Sequence, residues 1–226
     1  MLDDRNDWPR LLSLLVHELR TPVNVAGGYL KMLLDPRTGR LEERQRQMVE
    51  HASRSVDGIT ALLADASELA RLERGEGRRS TRRGDLVAIT RASAAAFVPP
   101  HESQVRVEVR AAIAAAPIEA DIERLQRAIG SCLTALAREA PANGRLVVDL
   151  AEGADNSFVL VIADEQLVQP PGVDRNGWGP LDDLRGGLGL ELPLARRVVT
   201  LAGGRLESPS LGRRQPAVRL VLPRAR

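Results

Sequence analysis

The sequence predicts an α+β protein, in which an N-terminal helical hairpin is followed by an α/β sandwich with helices on one face of its sheet. In the first part of the chain, apolar residues recur at intervals of three and four, as they do in helical bundles. From Asp85 onward, helical patterns mix with short alternating patterns in no strict order, which is typical of α+β folds. We therefore assign residues 1–76 to the hairpin, 77–84 to a linker and 85–226 to the second domain.

The hairpin is predicted from two long helical patterns on either side of a polar turn. The first helix covers residues 9–34, the second covers 41–74, and the turn over 35–40 contains Pro and Gly. Two helices bury too little surface to be stable alone. We therefore expect a homodimer that forms a four-helix bundle, with packing of the apolar seam against the second domain as the alternative. The predicted seams are Leu12, Leu15, Leu19, Pro22, Ala26, Tyr29 and Leu33 in the first helix, and Met48, Ala52, Val56, Ile59, Leu63, Ala66 and Ala70 in the second.

The second domain contains several short elements with clear boundaries. Asp121 is the predicted N-cap of a helix, because its side chain can accept hydrogen bonds from the first free N–H groups. Residues 153–156 form a turn between two strands, and a long loop rich in Pro and Gly covers 166–186. In chain order we predict a helix over 86–97, a strand over 105–109, a helix over 121–139, strands over 145–150 and 158–163, a helix over 190–201 and a terminal pair of strands.

The hexapeptide His17-Glu18-Leu19-Arg20-Thr21-Pro22 is the most informative segment of the chain. His17 falls opposite the predicted seam, so we expect an exposed imidazole, and Thr21 lies one helical turn further along the same side. A neutral imidazole is a good phosphoryl acceptor, and histidine changes its charge near physiological pH. The neighbouring Glu18 could accept the imidazole proton, while Pro22 removes a backbone donor and favours a bend.

The composition excludes several classes of protein. The 226 residues carry a net charge of +2, and Lys31 is the only lysine, so the arginine content suggests codon bias and no nucleic-acid partner. The single cysteine, Cys132, excludes an internal disulfide and suits a reducing cytosol. No apolar run reaches the roughly 18 residues needed to span a bilayer. The first residues do not resemble a signal peptide, so we expect a cytoplasmic protein without a direct membrane span.

The hexapeptide resembles the phosphoacceptor box of the sensor histidine kinase family, and the resemblance covers nearly the whole chain. Residues 11–76 are similar to the dimerisation and phosphotransfer hairpin of that family. The segments 187–190, 194–199 and 203–207 resemble the last glycine box and the closing elements of its ATP-binding domain. The resemblance implies a Bergerat-type ATP-binding fold for the second domain and a response-regulator receiver domain as partner. The catalytic residues that it implies are His17, Glu18 and Thr21.

The resemblance also implies a nucleotide site, and part of that site is retained. Arg138 matches a basic phosphate contact, and Asp164 matches the group that accepts a hydrogen bond from the adenine amino group. Gly187 and Gly189 precede a helix, and a glycine turn at a helix N-terminus is a ready anion site. These four residues are the cofactor-binding set that the resemblance implies.

Other positions of the nucleotide site depart from the family. The helix matched by 124–141 normally carries two asparagines four residues apart, the second of which helps to hold magnesium; here they are Ser131 and Ala135. Ala135 has no oxygen with which to ligate a hard cation. The glycines expected after Asp164 are missing, and two later family glycines are Leu184 and Arg185. We therefore assign no metal ligand and expect impaired or absent use of ATP and magnesium.

Three functions remain open at this point. In the first, a histidine phosphotransferase or pseudokinase passes a phosphoryl group between His17 and a receiver-domain aspartate. In the second, an active ATP-dependent kinase phosphorylates its own His17 through an unusual nucleotide site. In the third, the chain has no catalytic activity and is a scaffold that regulates a kinase or a response regulator. Whether it is an enzyme therefore depends on the chemistry of His17 and of the nucleotide site.

Overall fold

The computed structural model divides the chain into two compact units, Met1–Glu76 and Gly77–Arg226. None of the helices within the described ranges is both long and apolar enough to cross a membrane. The residues that the structure describes are 7–75, 80–99, 104–141, 143–165, 178–181, 187, 189–209 and 217–225.

The first unit is a helical hairpin. Helix α1 covers Trp8–Leu34 and helix α2 covers Glu43–Glu73, with a single 3-10 turn, Pro36–Thr38, between them. Asp35 caps that turn through the backbone N–H of Arg37, and it forms a bidentate ion pair with the Arg37 guanidinium. Both predicted helices and the predicted turn are confirmed to within two residues.

Helix α2 begins at a capping box. The Glu42 side chain accepts a hydrogen bond from the backbone N–H of Gln45, and the Gln45 side chain accepts one from the backbone N–H of Glu42. This exchange satisfies two of the four N–H groups that have no partner in the first turn of a helix. The predicted start, residue 41, lies two residues before the observed one, because apolar periodicity does not indicate where the cap lies.

The two helices pack along a different line from the predicted seam. On α1, Val16 is 3% exposed, and Val23, Gly27 and Leu30 are half-buried on the same side. The predicted seam residues of α1 lie on a neighbouring side and are exposed apart from Leu12. The reason is that α1 has two apolar sides, and only one of them faces α2. In the predicted seam of α2, Leu63, Ala66 and Ala70 are buried, Val56 is half-buried, and Met48, Ala52 and Ile59 are exposed.

The second unit is built on a six-stranded mixed sheet. Its strand order is β2-β4-β5-β8-β7-β6, where β2 and β4 are parallel and the other pairs are antiparallel. A separate two-stranded sheet pairs β1 with β3. The strands are β1 Arg82–Asp85, β2 Arg106–Ala111, β3 Pro117–Ala120, β4 Arg145–Glu152, β5 Ser157–Asp164, β6 Trp178–Pro180, β7 Arg205–Pro209 and β8 Ala217–Pro223.

Three helices form a layer against this sheet. Helix α3 is Leu86–Ala95, α4 is Ile122–Glu139 and α5 is Glu191–Leu201; α4 packs between the other two and against β4 and β5. Asp121 caps α4 through the backbone N–H of Arg124, as predicted, and Asp85 caps α3 through the N–H of Val87. The α+β architecture predicted from the sequence is confirmed.

Three short strands were not predicted. Strand β1 lies largely inside the segment assigned to a linker, β3 follows Ala116, and β6 lies inside the predicted loop over 166–186. Each has three or four residues, which is too few to show a two-residue alternation. The remainder of that loop, 166–177 and 182–186, lies outside the described residues.

Candidate functional site

The structure places His17 on the exposed surface of α1. The residue before it, Val16, is buried in the hairpin, while His17 points away from the side that packs on α2. Thr21 is also exposed and lies one helical turn further along, so both side chains are on the same side of the helix. A partner that docks on this side would meet the imidazole and the hydroxyl together.

Glu18 lies on a different side of α1 from His17. Successive residues of a helix are separated by about 100° around its axis and do not face each other. Within the described part of the chain, no hydrogen bond joins the Glu18 carboxylate to the imidazole. Helix α1 continues through Pro22, which cannot donate to the Glu18 carbonyl. A proton transfer from His17 to Glu18 therefore needs a change of rotamer or an intervening water.

In the second unit, two of the predicted cofactor-binding residues are in direct contact. Arg138 lies in the last turn of α4, and its Nη1 donates a hydrogen bond to the carbonyl oxygen of Gly187 at 3.1 Å. Gly187 and Gly189 have φ values of +61° and +60°, a conformation that favours glycine. The glycine turn before α5 is thus held against the end of α4 by a cation.

The N-terminus of α5 offers backbone N–H groups without a side-chain cap. The N-cap residue, Leu190, has no oxygen in its side chain, and no side-chain hydrogen bond caps the first turn. Such an end attracts anions through its N–H groups and the helix dipole. However, Glu191 places a carboxylate in that first turn, and this charge opposes the binding of a phosphate.

Asp164 is the last residue of β5 and is 8% exposed. The next residue, Glu165, is exposed and forms ion pairs with Arg145 at 3.4 Å and Arg110 at 3.6 Å. Glu108 bridges the same two arginines, at 3.1 Å and 2.8 Å respectively. This group of four charges could not be predicted from the sequence, because its members come from β2, from β4 and from the residue that follows β5.

These ion pairs shift the pKa values of Glu108 and Arg110. The hydrogen bond from Arg110 lowers the pKa of the Glu108 carboxyl, and the charges of Arg110 and Arg145 add to that effect. The same hydrogen bond raises the pKa of the Arg110 guanidinium. The Glu108 carboxyl and the Arg110 guanidinium therefore stay charged at neutral pH. The ion pairs bind the end of β5 to β2 and β4.

Ala135 occupies the position where the family resemblance implies a magnesium-binding asparagine, and it lies in the packed core. Ala135 is 0% exposed on α4, whereas Ser131, one turn earlier, is half-buried. A methyl group in this position supplies no ligand, so the residues present do not fit a magnesium ion held as the family resemblance implies. Among the described residues, no group of three or more His, Cys, Asp or Glu side chains is arranged to hold a metal. Leu184 and Arg185 lie outside the described residues.

Comparison with known proteins gives one family match and several distant relatives. Residues 9–75 match the His Kinase A (phospho-acceptor) domain. The adaptive-response sensory kinase SasA of Synechococcus sp. (strain JA-3-3Ab) is 21% identical over 95% of this chain and 59% of its own length. The histidine protein kinase DivJ of Caulobacter vibrioides is 26% identical over 87% of this chain and 34% of its own length. The chain thus spans less than two thirds of the length of either relative.

Two solved structures share the fold. ShkA, crystallised at full length in complex with AMPPNP, aligns with 96% of this chain and 46% of its own, with a TM-score of 0.70 and 23% identity. The Acinetobacter baumannii histidine kinase AdeS aligns with 93% of this chain and 98% of its own, with a TM-score of 0.59 and 19% identity. These two alignments extend the similarity from the hairpin to the second unit.

Proposed function

Because this chain belongs to the sensor histidine kinase family, with a HisKA domain followed by an ATPase-type domain, we propose that it is a two-component phosphorelay protein. In this proposal His17 carries a phosphoryl group to or from an aspartate of a response-regulator receiver domain, with impaired or absent use of ATP. The observation that supports it best is the exposed His17 on α1, within the residues that match the phospho-acceptor domain.

The transfer step requires only groups that the hairpin and the receiver supply. A ring nitrogen of neutral His17 attacks the phosphorus of an aspartyl phosphate. As the N–P bond forms, the P–O bond to the carboxyl group breaks and the carboxylate leaves. The reverse reaction passes the phosphoryl group to a second aspartate. The receiver contributes its own magnesium and aspartate, Glu18 takes up the imidazole proton through water, and Thr21 positions the water that hydrolyses the partner's phosphate.

A homodimer is part of the proposal. The second apolar side of α1 includes Leu15, Leu19, Tyr29 and Leu33, which are 42% to 64% exposed in one protomer. An apolar stripe of this length on a soluble helix is an interaction surface. A second copy of the hairpin would cover it in a four-helix bundle, since the same spacing recurs on both copies. Sedimentation of the wild type and of Leu19→Glu tests this part of the proposal.

An active ATP-dependent kinase is the second candidate. The contact between Arg138 and Gly187, and the two glycines with positive φ before α5, favour it, because such a turn can accept a phosphate. The buried Ala135 and the Glu191 carboxylate count against it. We therefore place it after the phosphorelay function.

The proposal is tested with labelled phosphate donors. The purified protein is incubated in one arm with [γ-³²P]ATP and magnesium, and in the other with a panel of ³²P-labelled receiver domains. His51 on α2 is also exposed, so His51→Ala is a matched control for His17→Ala. We expect label from at least one receiver in the wild type and in His51→Ala, and none in His17→Ala.

The other outcomes separate the candidates. Label from ATP on His17, together with calorimetric binding of ATP, would replace the proposal with the kinase. If no donor labels His17 and His17→Ala leaves signalling in cells unchanged, the chain acts as a scaffold and the chemistry of His17 is irrelevant to its role.

A further inference from the structure

A hydrogen bond joins the two ends of the hairpin, one turn of α1 before His17. Arg74 is the C-cap residue that follows α2, and its Nη1 donates a hydrogen bond to the Oγ of Ser13 on α1 at 2.6 Å. The Ser13 hydroxyl in turn donates to the carbonyl oxygen of Pro9 at 2.9 Å. The hydroxyl therefore presents its oxygen to the guanidinium in a fixed orientation. A cation at this position also interacts favourably with the C-terminal end of the α2 dipole.

The location of Ser13 brings Arg74 to the side of α1 that carries His17. Four residues of an α-helix advance about 6 Å and turn about 400°, so His17 lies one turn beyond Ser13 and only about 40° around the axis. Helical side chains lean towards the N-terminus and cover the preceding turn. His17 and Ser13 thus occupy neighbouring positions one turn apart on α1, and the guanidinium of Arg74 is held at the Ser13 hydroxyl.

We propose that Arg74 contacts the phosphoryl group on His17 and that Ser13 positions Arg74 for this contact. The inference rests on the proposed function, since it assigns a residue to the same site. A phosphoryl group on the imidazole adds negatively charged oxygens to an exposed surface. A guanidinium has five N–H donors in a planar fork, so a hydrogen bond to Ser13 does not preclude contact with phosphoryl oxygens. The contact favours transfer of the group to His17 and retention of it there.

The contrasting possibility is that Arg74 only fastens α2 to α1. A purely structural role predicts equal effects of Arg74→Gln on stability and on phosphorylation, with little dependence on salt. A contact with the phosphoryl group predicts an effect on phosphorylation that weakens as salt screens the charge. The Debye length falls from about 10 Å at 0.1 M ionic strength to about 3 Å at 1 M.

The test uses potassium phosphoramidate as a donor, so that no receiver or ATP is required. The imidazole nitrogen attacks phosphorus, the P–N bond of phosphoramidate breaks, and ammonia leaves after taking up a proton from water. Phosphohistidine is followed by ³¹P NMR and assigned to His17 by its absence in His17→Ala. The full-length variants are Arg74→Gln, Arg74→Lys and Ser13→Ala, with Arg71→Gln as the matched control. Arg71 lies on the same helix and pairs with Glu68 at 3.1 Å.

For Arg74→Gln we expect phosphorylation on the order of tenfold slower at 0.1 M salt, and a shorter half-life of the phosphohistidine, as the loss of one charge-assisted contact implies. Arg74→Lys retains part of the rate because it keeps the charge, and Ser13→Ala loses part of it. Arg71→Gln behaves as the wild type. At 1 M salt, the difference between the wild type and Arg74→Gln shrinks to about threefold or less.

Equal rates in the wild type and Arg74→Gln would overturn the inference, as would a rate loss that is independent of salt and matched by Arg71→Gln. A wild type whose His17 does not react with phosphoramidate would overturn it as well. The receiver experiment stands apart from this one. If no receiver labels His17 but the phosphoramidate effect is found, the proposed function fails and the Arg74 contact remains. The opposite pair of results rejects the contact and leaves the phosphorelay function in place.

Discussion

Replacing Ala135 with asparagine restores the side chain that the magnesium site of the family requires, and the structure predicts what this costs. Ala135 is fully buried on α4, and its neighbours Cys132 and Leu136 are also 0% exposed. The larger side chain must be accommodated by a packed core, which costs about 1–3 kcal/mol. Its buried amide would lack partners, which costs about 1–3 kcal/mol more. We therefore expect Ala135→Asn to lower the free energy of unfolding of the second unit by about 2–6 kcal/mol.

The control for this substitution lies one turn earlier. Ser131 is half-buried, so Ser131→Asn adds the same amide where water can reach it, and we expect a loss below about 1 kcal/mol. The chain contains two tryptophans, Trp8 in the first unit and Trp178 in the second. In a Trp8→Phe background, urea unfolding followed by tryptophan fluorescence therefore reports on the second unit alone.

Two results would refute this reasoning. A change below about 0.5 kcal/mol for Ala135→Asn would mean that position 135 faces an open cavity and not a packed core. A rise in the melting temperature of Ala135→Asn with magnesium and ATP, absent in the wild type, would mean that the nucleotide site lacks only this one ligand. The second result would still agree with impaired use of ATP by the wild type, which lacks that ligand.

Three further predictions concern the second unit. Gly204→Ala should destabilise the second unit by about 3 kcal/mol in urea unfolding, because an added Cβ would overlap the backbone carbonyl oxygen of Val221. A loss below about 1 kcal/mol would contradict the close approach of these two backbone segments. Asn156 has a φ of +54°, so Asn156→Val should lower the free energy of unfolding by about 1–2 kcal/mol, whereas Asn156→Gly should not lower it. Equal melting temperatures of the two variants would contradict a left-handed conformation at this residue. Burial alone would raise the pKa of Asp121, but hydrogen bonds from Ser80 and from the Arg124 N–H outweigh that effect, so the pKa lies below its ordinary value of 3.8. The Asp121 carboxylate contributes its full stability above pH 3.8, and this contribution is lost as the pH falls through the lowered pKa. Asp121→Asn keeps the cap, so its melting temperature should be less sensitive to acid than that of the wild type. Parallel curves of melting temperature against pH for both proteins, down to about pH 2.5, would exclude this role.

The helices of the hairpin could be predicted from the sequence, but the side of α1 that packs against α2 could not. Helix α1 carries apolar residues on two sides, Val16 and Val23 on one, Leu15 and Leu19 on the other. A pattern of threes and fours identifies a helix and an apolar stripe. It does not indicate whether that stripe meets the same chain or another, because both contacts favour the same residue types. The predicted seam is therefore the side that remains exposed in one protomer.

Local sequence patterns predicted the candidate site only where its residues lie close together in the sequence, and the residues of the nucleotide site came from the family resemblance. His17 and Thr21 form part of one motif on one helix, and their exposure follows from the helical period. By contrast, Ser13 and Arg74 are 61 residues apart and meet only because the hairpin closes. The charge group around Glu165 likewise depends on the register of three strands. Interactions of this kind are set by tertiary structure and leave no local signal.

The two apolar sides of α1 have a consequence for how this protein can change over evolutionary time. One apolar side packs on α2 and the other is the side assigned to the proposed dimer, so variation is least constrained on the polar side that remains. A substitution on either apolar side destabilises the protein, whereas a substitution on the polar side alters recognition and changes the stability little. New partner preferences should therefore arise within this narrow strip before they arise elsewhere on the helix. The strip contains Ser13, His17 and Thr21, which the proposed chemistry requires, and the residues left to vary are Arg10, Asn24 and Lys31.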